Sequence, residues 1–232
     1  MNPTIYNLTT PIAHLATRDP DFLAYSDACL EAAGAQVPTL KFWWHIEWPS
    51  SIKSLTLKNL RVTRRCPLTN KLISINLLEF VAEILTYAAV TVFFYLNRQV
   101  CLHPYPLLLI NTDNMSAKSW VKKAATKTKK GKALQRILCG LMINNPVGLQ
   151  ADFIPGIDNI LADAISRVYS KPNSAICFRS LIKEFPMLLS WKRFHPSQEL
   201  LSLLFSALLE DQEPELCHIK QLGHFSAANV TS

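Results

Sequence analysis

Leu107-Leu-Leu-Ile110-Asn-Thr-Asp113 is a run of four aliphatic residues followed, three positions on, by a carboxylate. An apolar run without polar alternation reads as a strand covered on both faces, the kind found inside an α/β sheet. Downstream, residues 115–125 and 132–142 read as two helices separated by a lysine-rich turn around Gly131. Residues 147–154 read as a further strand, closed by Pro155-Gly156. A helix over 158–169 follows, with Asp158 as N-cap and Asp163 one turn further in. Upstream, residues 75–97 are apolar almost all round. Their only polar stripe is Asn76, Glu79, Glu83 and Thr86, the i, i+3, i+4 spacing of one helix face. Before them lie short strand-like runs at 22–26, 34–37 and 41–48. Asp27 stands at the end of the first, and Trp43, Trp44 and Trp48 supply core bulk in the last. The order is strands, helix, strand, helices, strand, helix, which predicts a mixed α/β domain with helices covering a central sheet.

The flanks read differently. Residues 1–20 are polar with three prolines and are expected to be a linker, so the domain itself is expected over 21–170. Residues 50–74 are basic and polar and give no clear element. Residues 171–232 are expected to form a small helical tail, loosely ordered at its end.

Lys plus Arg number 24 and Asp plus Glu 17, a net charge of +7 in 232 residues. Nearly all the excess lies in one window free of acids: Lys118, Lys122, Lys123, Lys127, Lys129, Lys130, Lys132 and Arg136. A basic patch on an otherwise neutral body points to a polyanion, nucleic acid first, and a solvated surface helix is the plain alternative. The six cysteines are scattered with no CxxC pair, which argues against a disulfide framework or a zinc ribbon. Cys217, His218 and His224 read as ordinary residues rather than a metal cluster. No secretory signal opens the chain, and the most apolar stretch, 84–96, is too short to span a bilayer. The expectation is an intracellular protein, cytoplasmic or nuclear, away from membranes.

Four acids fall at the ends of predicted elements: Asp27, Glu79, Asp113 and Asp163. In an α/β sheet the ends of neighbouring strands and the helices packed beside them converge on one region. Carboxylates gathered there without basic neighbours repel unless cations neutralise them, and oxygen-only ligands select hard ions such as Mg²⁺. Two such ions would stabilise both the attacking and the leaving oxygen of a phosphodiester. The spacing is therefore consistent with metal-assisted phosphodiester cleavage, the lysine patch holding the nucleic-acid backbone.

Four motifs occur in order: Tyr25-Ser-Asp27-Ala, Ile75-Asn-Leu-Leu-Glu79, Ile110-Asn-Thr-Asp113-Asn114, and Ile154-Pro-Gly156-Ile-Asp-Asn159-Ile-Leu-Ala-Asp163-Ala-Ile-Ser-Arg167. Together they resemble the ribonuclease H domain of retrotransposon reverse transcriptases, of the long-terminal-repeat and tyrosine-recombinase (DIRS-type) classes. The segments around Phe185-Pro186 and Phe194-His-Pro-Ser-Gln-Glu-Leu-Leu-Ser202 are similar to the tail that follows this domain in DIRS-type elements. The resemblance implies a ribonuclease H-like fold and hydrolysis of the RNA strand of an RNA/DNA hybrid. It also implies two Mg²⁺ ions, with Mn²⁺ as substitute, held by Asp27, Glu79, Asp113 and Asp163; the context Ile-Asn-x-x-Glu selects Glu79 over Glu83. The lysine segment would grip the hybrid, and Asn114 and Ser116 would cap the helix after Asp113 and touch phosphate, plain N-capping being the alternative. With no polymerase motif such as Tyr-x-Asp-Asp present, the chain is expected to be a piece of a polyprotein whose other domains are its partners.

Two departures stand out. No histidine occurs between His103 and His195, and Phe153 stands where related elements often carry one. Glu31 places an extra acid close to Asp27 in sequence. The rival readings are a catalytically inactive connection or binding module, which a lost carboxylate would have favoured, and a transposase core, which would carry Glu on the last helix.

Overall fold

The computed structural model describes residues 18–61, 72–97, 105–168, 174–210 and 221–227. Seven strands form one mixed sheet: β1 (Phe22–Ala28), β2 (Ala32–Val37), β3 (Phe42–Glu47), β4 (Leu107–Thr112), β5 (Gly148–Phe153), β6 (Lys192–Pro196) and β7 (Gly223–Ala227). Their spatial order is β5-β4-β1-β2-β3-β6-β7. β1, β2 and β3 form an antiparallel meander, while β4 and β5 run parallel to β1 and to each other. The α/β architecture expected from the sequence is present.

Helices cover both faces. In order they are α1 (Ser50–Arg61), α2 (Ile75–Leu96), α3 (Met115–Lys123), α4 (Lys129–Ile143), α5 (Ile160–Arg167), α6 (Ser174–Glu184) and α7 (Gln198–Leu209). The larger core joins the sheet to α2, α4 and α7, with Phe42, Trp44, Phe80, Leu134 and Leu204 at its centre. A smaller core on the opposite face joins Trp43 to Leu161 and Ile165 of α5, Leu181 of α6 and Trp191. Trp43, Trp44 and Trp48 are all buried, as their predicted packing role requires. α5 lies so close to β2 that a Cβ at Gly34 would sit 2.4 Å from Ile165 Cγ2; glycine is what allows the approach.

α2 is 22 residues long, longer than its most apolar stretch, and by length and composition alone could cross a membrane. Of its most apolar window, 89% is buried inside the fold, which identifies a central core helix.

Several expectations are corrected. Residues 50–61 form α1. The lysine-rich segment is not one turn around Gly131: the turn is 124–128, and Lys129 to Lys132 are the first turn of α4. Thr128 is the N-cap, its hydroxyl accepting the Gly131 N–H at 3.0 Å. α5, expected from Asp158, begins at Ile160; Asp158 lies in a short 3₁₀ turn, Gly156–Asp158. The 171–232 segment is not simply a helical tail. It supplies α6 and α7, but also β6, parallel to β3, and β7, antiparallel to β6, so the sheet extends through this region. Of the linker expected over 1–20, residues 1–17 lie outside the described residues, as do Cys217 and His218.

Candidate metal centre

β1 and β4 are adjacent and parallel, so their C-terminal ends reach the same edge of the sheet. That parallelism brings Asp27, near the end of β1, beside Asp113, one residue past β4. Glu79 approaches them from the second turn of α2. One oxygen from each of Asp27, Glu79 and Asp113 lies within 4.8 Å of the others. Asp27 and Glu79 are buried, and Asp113 is partly exposed. The structure brings together three of the four acids expected from the sequence.

Burial and mutual repulsion dominate the electrostatics. Removal from water pushes the Asp27 carboxyl up to about 6, with Asp113 and Asp163 adding to the rise and a hydrogen bond from Ser166 opposing it. Glu79 is held well above the ordinary range by burial first, then by Asp27 and Asp113; the Ala28 N–H donates to it and opposes the shift. Asp113 is raised by burial, in part offset by its own backbone N–H, and raised again by Asp163.

The donor set fits a hard divalent cation. It is all oxygen, and Glu79 Oε2 is a buried atom with no hydrogen-bond partner, a group that folding leaves for an ion or water to satisfy. The approach is shaped by backbone: a Cβ at Gly156 would stand 2.9 Å from Asp113 Oδ2, so the Pro155-Gly156 turn presses directly on this carboxylate.

Asp163 is placed beside the three but not among them. Its Oδ1 accepts from Arg167 Nε at 2.7 Å and lies 2.6 Å from Arg167 Nη2, one turn along α5. Its charge nonetheless raises both Asp27 and Asp113.

Residues the sequence reading gave no role complete the surroundings. Ser166 Oγ donates to Asp27 Oδ2, and Asn159 Nδ2 donates to the Ser26 carbonyl at 2.9 Å. Both tie α5 to β1. Their signal was present in the last motif, where Asn159 and Ser166 flank Asp163 at helical spacing. Glu83 is fully buried with both carboxylate oxygens unpartnered, and burial holds it well above the ordinary range. Glu31, the extra acid near Asp27 in sequence, is turned to α1, 2.9 Å from Lys53 Nζ.

The basic segment divides. Lys122, Lys123, Lys127, Lys129, Lys132 and Arg136 are exposed. Lys118 pairs with Asp152 at 2.6 Å. Lys130 is buried and its Nζ donates to the Leu208 carbonyl of α7, so it is a packing residue and not part of the surface patch. Asn114 caps α3, accepting from the Ser116 and Ala117 N–H groups at 3.0 Å each, and donates to Asn76 Oδ1 at 2.9 Å. Both ends of its side chain are engaged within the protein.

No protein-family model, no curated protein and no solved structure matches the chain.

Proposed function

We propose that this chain is a ribonuclease H of the retroelement type, hydrolysing the RNA strand of RNA/DNA hybrids with two Mg²⁺ ions. The observation that carries the reading is the convergence of Asp27, Glu79 and Asp113, from three separate elements, to within 4.8 Å. The strand arrangement supports it: an antiparallel β1-β2-β3 meander with β4 and β5 added parallel on the β1 side is compatible with a ribonuclease H-like fold. The four motifs quoted from the sequence, with an acid in each, select this family over others that could use the same cluster.

Bound divalent ions supply an activated water and stabilise the leaving oxygen of the phosphodiester. Asp27, Glu79 and Asp113 are the residues that would hold them, with Asp163 as the fourth ligand. Asn159 and Ser166 fix α5 against β1 so that Asp163 stays beside the centre. The exposed lysines of α3, α4 and the turn between them hold phosphates by charge, adding affinity without base preference.

Cleavage of an end-labelled RNA/DNA hybrid in Mg²⁺ tests the proposal. The hybrid's RNA strand is expected to be cut, and single-stranded RNA, duplex DNA and, largely, duplex RNA spared: the 2′-hydroxyl in a shallow minor groove marks the RNA strand against DNA, and a paired strand without 2′-hydroxyls marks the hybrid against RNA alone. Failure to cut the hybrid in Mg²⁺ or Mn²⁺ refutes the activity. Efficient cutting of duplex DNA, abolished by Asp27→Asn, redirects the cluster to a transposase-like nuclease.

A further inference from the structure

We infer that Arg167 is a positioning residue: a latch that holds Asp163 off the acidic centre and yields it when a divalent cation enters. The inference rests on the metal centre proposed above, whose ligand-binding character is marked by the buried, unpartnered Glu79 Oε2.

The backbone of α5 is immobilised at both ends. Asn159 ties its start to the Ser26 carbonyl, and Ser166 ties its last turn to Asp27. Gly34 lets Ile165 press directly onto β2. Within the helix the Asp163 N–H bonds the Asn159 carbonyl at 3.0 Å. With both ends of α5 fixed, the change we infer for Asp163 is one of side-chain partner, the helix keeping its place.

Its present partner is suited to exchange. Arg167 places both Nε and Nη2 on the single oxygen Oδ1, and the two side chains are 58% and 43% exposed. A pair this open to water is weak, unlike one sealed in the interior. Arg167 is also a cation that faces the centre, since its charge opposes the rise of Asp27 and Asp113. Without a divalent ion, four converging carboxylates would repel one another. The latch removes one of them from the cluster and sets a positive charge beside the rest. A divalent ion outcompetes this arrangement because it meets several carboxylates directly at once, whereas the guanidinium's close ion pair at the centre's edge is with Asp163.

Calorimetric titration of the full chain with Mn²⁺ alone, without nucleic acid, measures the latch directly. Releasing an exposed i,i+4 ion pair corresponds to about a twofold change in binding, and removing the nearby positive charge adds about as much again. Arg167→Ala should therefore tighten Mn²⁺ binding about fourfold, with Arg167→Lys between it and the parent because lysine cannot make the two-nitrogen contact. In an Asp163→Asn background the gain from Arg167→Ala should shrink to about twofold or less, the share left to bulk charge. Unchanged or weaker Mn²⁺ binding by Arg167→Ala overturns the latch. So does an equal gain in both backgrounds, which would assign Arg167 a through-space charge effect only. If Arg167→Ala loses its folded circular dichroism, Arg167→Lys decides by the same criterion, and binding no tighter than the parent's refutes it. Absence of any Mn²⁺ uptake by the parent overturns the metal centre itself, an outcome distinct from uptake that ignores Arg167.

Discussion

Replacing Asp27 with Asn should stabilise the metal-free protein at neutral pH, a result opposite to that of most buried polar substitutions. The magnitude follows from the site. Asp27 is 3% exposed, and its carboxyl is pushed from the ordinary 3.8 to about 6. That displacement corresponds to roughly 3 kcal/mol of penalty on the ionised form. The sign is fixed by which state holds the proton. Below the unfolded value both states are protonated and the penalty is absent. As pH rises toward 6 the unfolded chain loses its proton first, so stability falls, and above 6 the whole penalty is present. Asn cannot ionise and retains an oxygen to accept from Ser166 Oγ. Less about 1 kcal/mol for an amide in place of a carboxyl, the expected gain at pH 7.5 is about 2 kcal/mol. Urea unfolding in EDTA at pH 7.5 and pH 4.5 measures it: the gain should be large at the first and mostly absent at the second. Added Mg²⁺ should raise the stability of the parent and do far less for Asp27→Asn. No gain at pH 7.5, or an equal gain at both pH values, would refute the argument that burial and carboxylate repulsion dominate this site.

Asp113→Asn should abolish hybrid cleavage while leaving the melting temperature in EDTA unchanged or higher; near-normal cleavage would remove Asp113 from the ligand set. Replacing the exposed Lys127, Lys129 and Lys132 together by Ala should flatten the dependence of log affinity for hybrid on log salt by about one to three units, read by fluorescence anisotropy. Lys130→Met should behave oppositely, costing about 1–3 kcal/mol of stability by stranding the Leu208 carbonyl and leaving the salt slope unchanged. A changed slope would return Lys130 to the surface patch.

Much of this organisation is legible in the sequence, and the illegible parts have identifiable causes. The run Leu107–Ile110 announces a strand by composition alone, and the stripe Asn76, Glu79, Glu83, Thr86 marks the one polar face of α2. Asp27 and Asp113 meet because the parallel strands β1 and β4 end on one edge, and Glu79 joins them from α2, packed beside those strands. β6 and β7 were hidden for the opposite reason. Lys192-Arg-Phe-His-Pro196 offers the core a single apolar side chain, Phe194, and its pairing with Phe42–Trp44 of β3 is long-range, so no local pattern announces it. A helix start at Lys132, as the sequence suggests, puts Lys130 in a surface turn. With Thr128 as the cap, Lys130 falls one turn before Ala133 and Leu134 on the face that packs inward.

Asp163 shows where sequence order stops informing. The motif around it correctly places its helix beside the centre, because Asn159 and Ser166 anchor that helix to β1 through contacts that helical spacing alone makes compatible. What the motif cannot convey is which partner the carboxylate takes. Arg167 lies four residues on, where an i, i+4 pair forms readily in any exposed helix, while the three other acids come from elements remote in sequence. The local partner is available as soon as α5 forms; the distant ones attract Asp163 only when a cation reverses their repulsion. Backbone position is therefore set by the fold, and the side chain's choice is set by the charge at the centre. The same electrostatics that raises Asp27, Glu79 and Asp113 in the absence of metal is what keeps Asp163 with Arg167.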